Sequence, residues 1–542
     1  MGRRRRSWLN PIRGWAFKNM QSSEGKPGKR PSRRGTIQWW IVLPMALLGC
    51  LAFAVLVQFS SHLNHSGLVM IAGTLLGVPL FVILSFALRQ GLGHARTLVS
   101  SLRWWHWLWA MLLFGALTFR IRGASEITSE PLDAWAVFRI AIDMLVAFVL
   151  LVRLTLRRTH WPGSMLRGVV GALTIYGLVC LASTAWSVYP PWTLYKSWEY
   201  LIDIALVAAI LESVNSTEDL RSLFNWTWTL YGILLLSVWK DVLLFPQESL
   251  HGETLQSGAA LGVRLDGVIP ALSSNDVGTF AAIIALVSLA RLFPSTGRRS
   301  HTSWYSVLLL GSMVTLVLAQ TRSAIMAVAL GGFVIFLYSK QGRIGAIVTF
   351  VVAPIVALCT MGGVIWSFLQ RGQTEAQMAT LSSRAQWWAF AWQTYLERPL
   401  TGYGAYAGGR FGVLAKLGLG LTSTMHSDYL EVIVGTSIWG MIPLIVTLAA
   451  TWWLLLRYAR HPLSPPERQL AVEATVILAM LTLRSVFNDQ FTWHPPLHFL
   501  AVLCFVEYLR RKRQVLSQVT APLRQRHAIV EPDPQMELAF HP

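Results

Sequence analysis

The sequence predicts an all-α fold: a polytopic membrane helix bundle of about 12–14 transmembrane helices with a large helical loop on its outer side. Three observations carry that prediction. The 542 residues are 54% hydrophobic, and only 13% are charged, where a soluble chain carries about twice that charged share. The mean hydropathy is positive, at +0.48. Apolar stretches of about 20 residues, the length that crosses a bilayer, recur along the chain.

Taken in order, those stretches give spans at 38–58, 68–88, 104–119, 134–152, 168–187, 198–214, 222–244, 276–293, 303–320, 323–338, 344–368, 437–456, 470–487 and 493–509. Cytoplasmic loops collect Lys and Arg. Placing the N-terminus inside puts most of the 46 Lys/Arg on the cytoplasmic side, including Arg153, Arg157, Arg158, Arg167, Arg298, Arg299 and the run at 510–513. An even number of spans then puts the C-terminus inside as well. The expected organisation is a basic cytoplasmic tail (1–37), N-terminal helices (38–195), central helices (196–368), a large outer loop (369–436), C-terminal helices (437–509) and a basic cytoplasmic tail (510–542). From about 514 that last tail reads as disordered or surface-bound.

The formal charge of +20 invites a nucleic-acid partner. Its distribution argues instead for the lipid bilayer, because residues 1–37 gather the positive charge into one segment beside the first span. The four cysteines all fall inside apolar runs and suggest no disulfide framework. No His/Cys/Asp/Glu spacing reads as a zinc site, and no glycine-rich phosphate loop is present, so no metal or cofactor is expected.

Two outer loops are long, 245–275 and 369–436, and long loops between spans are more often functional than idle. In the second, Trp388, Trp392 and Tyr395 recur at helical spacing in a segment that Ser382 or Ser383 can cap and Pro399 ends. That pattern predicts an amphipathic helix at the outer membrane surface. The stretch "TGYGAYAGG", which contains Tyr403, follows as a glycine-rich turn.

Strong anion and proton chemistry concentrates at the same face. Arg264, Arg322, Arg384, His426 and Arg484 all fall there, and guanidinium matches phosphate oxygens through paired hydrogen bonds. Each has a structural alternative. Arg322 can cap the preceding helix, while Arg264 can pair with Asp266 and Arg484 with Asp489. Asp428 and Glu431 fit a helix N-cap with a reciprocating acid, which leaves His426 outside the first turn as a possible base. The buried charges Arg139, Asp143, Glu199 and Asp203 read as helix packing or as a transport path.

Four stretches in order, "RLDGVIPALSSNDVGTFAAI", "QTRSAIMAVALGG", "SSRAQWWAFAWQTYLERPLTGYGAYAGG" and "MHSDYLEVIVGTSIWG", resemble the motifs of the O-antigen ligase/polymerase superfamily of bacterial envelope proteins. The resemblance covers roughly residues 196–500. It departs at Ser437, where the ligases usually have glycine, while Gly440 matches. The resemblance implies a metal-independent, inverting glycan transferase of the bacterial inner membrane, with a periplasmic active site and no cofactor. The implied donor is an undecaprenyl-diphosphate-linked glycan, and the acceptor is lipid A-core or a growing glycan. By position, His426, Arg322 and Arg264 would be catalytic, with His426 as base and the arginines on the diphosphate. Arg384, Arg484, Asp428 and Tyr403 would contact substrate. A ligase is expected, with a polymerase or a transporter as alternatives.

Overall fold

The computed structural model describes residues 87–156, 159–251, 263–294, 302–338, 384–419, 424–492 and 494–528, with isolated positions between 359 and 368. The basic segment 1–37, the span at 38–58, nearly all of those at 68–88 and 344–368, and the proposed caps Ser382 and Ser383 lie outside the described residues.

The described chain is all-α. Its long helices are α1 (Trp104–Ala116), α2 (Ala134–Leu156), α3 (Gly168–Ala182), α4 (Pro190–Ser213), α5 (Thr217–Leu244), α6 (Ser274–Leu292), α7 (Thr302–Ala319), α8 (Arg322–Tyr338), α9 (Arg384–Glu397), α10 (Asp428–Ala459), α11 (Pro465–Arg484) and α12 (Leu497–Ala528). Six segments are long and apolar enough to cross a membrane: α2, α5, α6, α7, α10 and the run Gly168–Trp186 that contains α3. The only named strands among the described residues are Leu250–His251 and Arg264–Leu265, an antiparallel pair two residues long.

Local chemistry explains most boundaries. Ser216 and Asp219 form a reciprocal capping box at α5, Ser273 and Asp276 at α6, and Ser464 and Glu467 at α11. Such caps satisfy orphan N–H groups, and each contributes on the order of 1 kcal/mol. Helix α4 starts eight residues before the expected 198, because prolines 190 and 191 occupy its first turn, where a missing N–H costs nothing. Helix α12 runs on to Ala528, so the segment from 514, expected to be disordered or surface-bound, is helical as far as that residue. Residues 510–517 are mostly good helix formers, and Glu507 accepts hydrogen bonds from Arg510 and Arg511 one turn on.

Helices α6 and α12 sit deep in the bundle. Val277, Ala281, Ala282 and Ile283 of α6 are fully buried, as are Leu497 and the run Phe499–Val506 of α12. Within a membrane, close packing of small residues does much of the work that hydrophobicity does in water. At Gly278 a Cβ would come within 2.7 Å of the Thr321 side chain, so the glycine lets the α7–α8 turn approach α6. At the other end of α6, Arg291 binds both Glu473 oxygens of α11 at 2.9 Å and also bonds Tyr305. The first contact holds α6 against the α7–α8 turn at the end of the bundle that carries His426, and the second ties α6 to α7 and α11 at the opposite end.

Candidate functional site

Ser427, not Asp428, is the N-cap residue of α10, which corrects the cap expected from sequence. Asp428 is the first helical residue and is fully buried. Its carboxylate accepts the backbone N–H groups of Gln490, Phe491 and Thr492 at 2.8–3.2 Å and the Thr492 hydroxyl at 2.7 Å. Glu431 accepts the Met425 N–H at 2.5 Å, and its carboxylate lies where a Cβ on Gly409 would sit. The two acids therefore clamp two chain segments: Asp428 the loop after α11, Glu431 the approach to His426.

His426 lies between those segments at φ 55°, a left-handed conformation more accessible to histidine than to most residues. Its Nδ1 is 3.2 Å from Asn488 Oδ1, and its ring stacks on Trp387 with centroids 6.3 Å apart. Trp388 donates to the Met425 carbonyl at 3.0 Å, so the first turns of α9 hold the histidine segment. Burial pushes the His426 pKa down, the Arg384 guanidinium pushes it further, and the Asn488 hydrogen bond offsets part of this, leaving it at about 4. The imidazole is therefore neutral near pH 7. With Asn488 Oδ1 accepting from Nδ1–H, the lone pair sits on Nε2, which no hydrogen bond engages among the described residues.

Arg384 acts on His426, and Arg322 and Arg484 each act on Arg384. Arg384 donates to the Phe487 carbonyl at 2.7 Å and is electrostatically coupled to Asp489 and Arg322. Burial, then repulsion from Arg322, lowers its pKa, while Asp489 acts the other way. Arg322 opens α8, in a turn that Thr321 ties to α6 through the Ser274 carbonyl at 2.8 Å. Arg484 ends α11 fully buried. It donates to the Asn275 carbonyl at 3.2 Å, and its Nε and Nη1 have no hydrogen-bond partner among the described residues. It does not form the ion pair with Asp489 considered from sequence; its electrostatic neighbours are Asp276 and Arg384. Burial, then Glu431 and Asp428, push the Asp489 carboxyl well above the usual carboxylate range.

Arg264 approaches the group along its backbone. Gln320, two residues before Arg322, donates to the Val263 carbonyl at 2.6 Å. The Arg264 guanidinium bonds Asp266 at 3.2 Å, the pair anticipated from sequence. Tyr403 does not join the arginines. Its hydroxyl donates to Glu397 at 2.6 Å, and its ring packs with Ala391, Val413, Leu414 and Val434 beneath α9. The Gly402–Gly404 turn around it accepts no side chain: Gly402 has φ +67°, and a Cβ there would lie 2.6 Å from the Gly435 carbonyl oxygen. On α9 the expected aromatic stripe Trp388, Trp392 and Tyr395 does not supply the fully buried positions. Ala391 and Thr394 are the buried positions, while Trp392 is 47% exposed.

A second group of charges lies between α2, α4 and the start of α12. His494 bonds Asp203 at 2.8 Å and lies 3.8 Å from Asp143, and Glu199 pairs with Lys196 at 2.5 Å and Arg139 at 3.9 Å. One ligand atom each from Asp143, Glu199 and His494 falls within 4.8 Å of the others, a spacing that suits a metal ion. The donor set fits one poorly, because Lys196 and Arg139 already neutralise Glu199 and His494 is bonded to Asp203. The arrangement is that of helices tied by internally balanced charges.

Sequence reading missed Asn488 and Trp387 as neighbours of this site. Trp387 lies in the quoted aromatic motif, but Asn488 meets His426 across 62 residues, which no local pattern announces.

An all-α chain with several helices long and apolar enough to cross a membrane defines a class: a multi-pass membrane protein. Residues 305–445 match the family model described as O-Antigen ligase, a similarity over part of the chain that supports the O-antigen ligase superfamily. The matched stretch contains Arg322, Arg384, Tyr403, His426 and Asp428, whereas Arg264 and Arg484 lie outside it. Among curated proteins, none matches the chain.

Proposed function

We propose that this protein is a ligase-type, inverting membrane glycosyltransferase that moves a glycan from undecaprenyl diphosphate to an acceptor hydroxyl at the periplasmic face. The observation that carries the reading is the neutral His426 beside Arg384, with Arg322 and Arg484 in the same group. In the proposed step Nε2 of His426 takes the proton of the acceptor hydroxyl as its oxygen attacks the anomeric carbon. The bond from that carbon to the diphosphate oxygen breaks, and the electron pair leaves with the diphosphate. A base with a pKa of about 4 is weak, so proton transfer lags behind formation of the new bond and completes as the attacking oxygen becomes acidic. General-base help of this kind is worth about 10²–10⁴-fold. Preorganised guanidinium groups stabilise the charge that gathers on the leaving diphosphate. Arg322, Arg384 and Arg264 are the proposed diphosphate ligands, and Arg484 supports them from below.

The test uses purified protein, a polyprenyl-diphosphate-linked glycan and lipid A-core as acceptor. Transfer to lipid A-core supports the ligase, and elongation of the lipid-linked glycan without such transfer makes the protein a polymerase.

A further inference from the structure

At the end of α10 remote from His426, a cleft of about 730 Å³ opens between α10, the start of α11 and α12. Its lining divides by chemistry. Trp453, Leu454, Leu509 and Leu516 supply apolar surface, while Arg457, His461 and Arg513 bring positive charge. Two further cations at the cleft are already neutralised: Lys512 lies 2.6 Å from Glu467, and Arg510 bonds both Glu507 oxygens at 2.6 and 2.8 Å. No ion pair engages Arg457 or Arg513 among the described residues. Their guanidinium groups lie instead over aromatic rings, Arg457 at 5.0 Å from Trp453 and Arg513 at 5.0 Å from Tyr458. The cleft therefore holds two surplus positive charges.

An apolar lane leads to it. Ile442, Val446, Trp453 and Leu456 are 56, 49, 58 and 48% exposed, spaced at three, four or seven residues along a helix apolar enough to cross a membrane. Arg457 ends that lane, where hydrocarbon gives way to the interface and where tryptophan and arginine characteristically sit. The charge asymmetry of the chain assigns this end to the cytoplasm, where the leaflet is rich in acidic lipids.

We infer that the cleft binds the phosphate headgroup of an anionic phospholipid between Arg457 and Arg513, with the acyl chains lying along the exposed Ile442–Leu456 face of α10. A free anion could use the two arginines but would leave the lane unused, and a neutral lipid would use the lane but not the charges. The inference does not depend on the proposed transfer reaction.

The test is native mass spectrometry of the full chain released from mixed micelles of phosphatidylglycerol and phosphatidylcholine. Wild type is expected to retain phosphatidylglycerol preferentially, and to keep it when inorganic phosphate is added at constant ionic strength. The R457Q/R513Q variant is expected to lose about 30-fold in that preference, since each interfacial charge contributes about 1 kcal/mol. As a measurement that needs no variant, raising salt from about 0.05 to 0.5 M is expected to weaken retention by wild type. Equal retention of the two lipids by wild type, an unchanged preference in the double variant, or displacement by inorganic phosphate would each overturn the inference.

Discussion

His426 and Asn488 meet side chain to side chain at 3.2 Å, although 62 residues separate them. Asn488 stands on the loop that Asp428 holds, and His426 follows the Met425 that Glu431 holds. The proposed base thus depends on two buried acids that need not touch substrate. In the Asn488→Ala variant the ring loses the acceptor that fixes its tautomer. The expected result is a fall in kcat of about 10²-fold, the scale of a small misplacement of a catalytic group, with KM for the lipid-linked donor little changed. A fall in KM-dependent binding alone would assign Asn488 to substrate contact instead.

The pH profile carries the sign of the neighbouring charge. A positive group beside imidazole disfavours the imidazolium, so Arg384 contributes to holding His426 at about 4. The acid limb of kcat/KM is expected near that value rather than near 6.5. Arg384→Gln removes the positive charge, so the limb moves to higher pH while the rate falls. A limb that stays in place in this variant would separate Arg384 from His426.

Asp428→Asn replaces a carboxylate that accepts three backbone N–H groups and a hydroxyl with a group that has one acceptor oxygen. The expected cost is on the order of 1.5–3 kcal/mol, the worth of a hydrogen bond to a buried charge. Thermal unfolding in a fixed lipid environment measures it. Transfer activity is expected to fall as well, because Asn488 and the Phe487 carbonyl lose their anchor. Unchanged stability would show that the loop is held by other contacts.

Ser437 breaks α10 with φ 59° and ψ −154°, a conformation reserved almost entirely for glycine. Its hydroxyl donates to the Pro399 carbonyl, which ties the break to the end of α9. Ser437→Gly removes strain of about 1–3 kcal/mol and loses a hydrogen bond worth about 0.5–1.5 kcal/mol. The expected outcome is a variant at least as stable as wild type, read by its unfolding temperature. A clear loss of stability would mean that the hydroxyl dominates.

Much of this was legible in the sequence, and for physical reasons. Apolar length placed the limits of α2, α3, α5, α6, α7, α8 and α11 to within about five residues. It failed at the start of α4, where two prolines open the helix, at the start of α10, which begins at Asp428 rather than 437, and at α12, where helix propensity continues past the apolar run. The aromatic motif marked α9, but not which face it buries, because Trp387 and Trp388 anchor His426 while Trp392 faces outward. The acids after His426 read as a cap because that is the commonest use of acids at a helix start. Their actual partners, at 490–492 and Met425, are set by tertiary contacts. Ser437 stood out against the family glycine, and its backbone conformation explains why glycine suits the position.

The most direct measurement is transfer of glycan from polyprenyl diphosphate to lipid A-core by purified wild type and His426→Ala protein in the same membrane. The expected result is transfer by wild type and a loss of at least about 10²-fold in the variant, with donor binding retained. Wild-type transfer rates in His426→Ala, with loss of function only on changing Asp143 or Asp203, would contradict it.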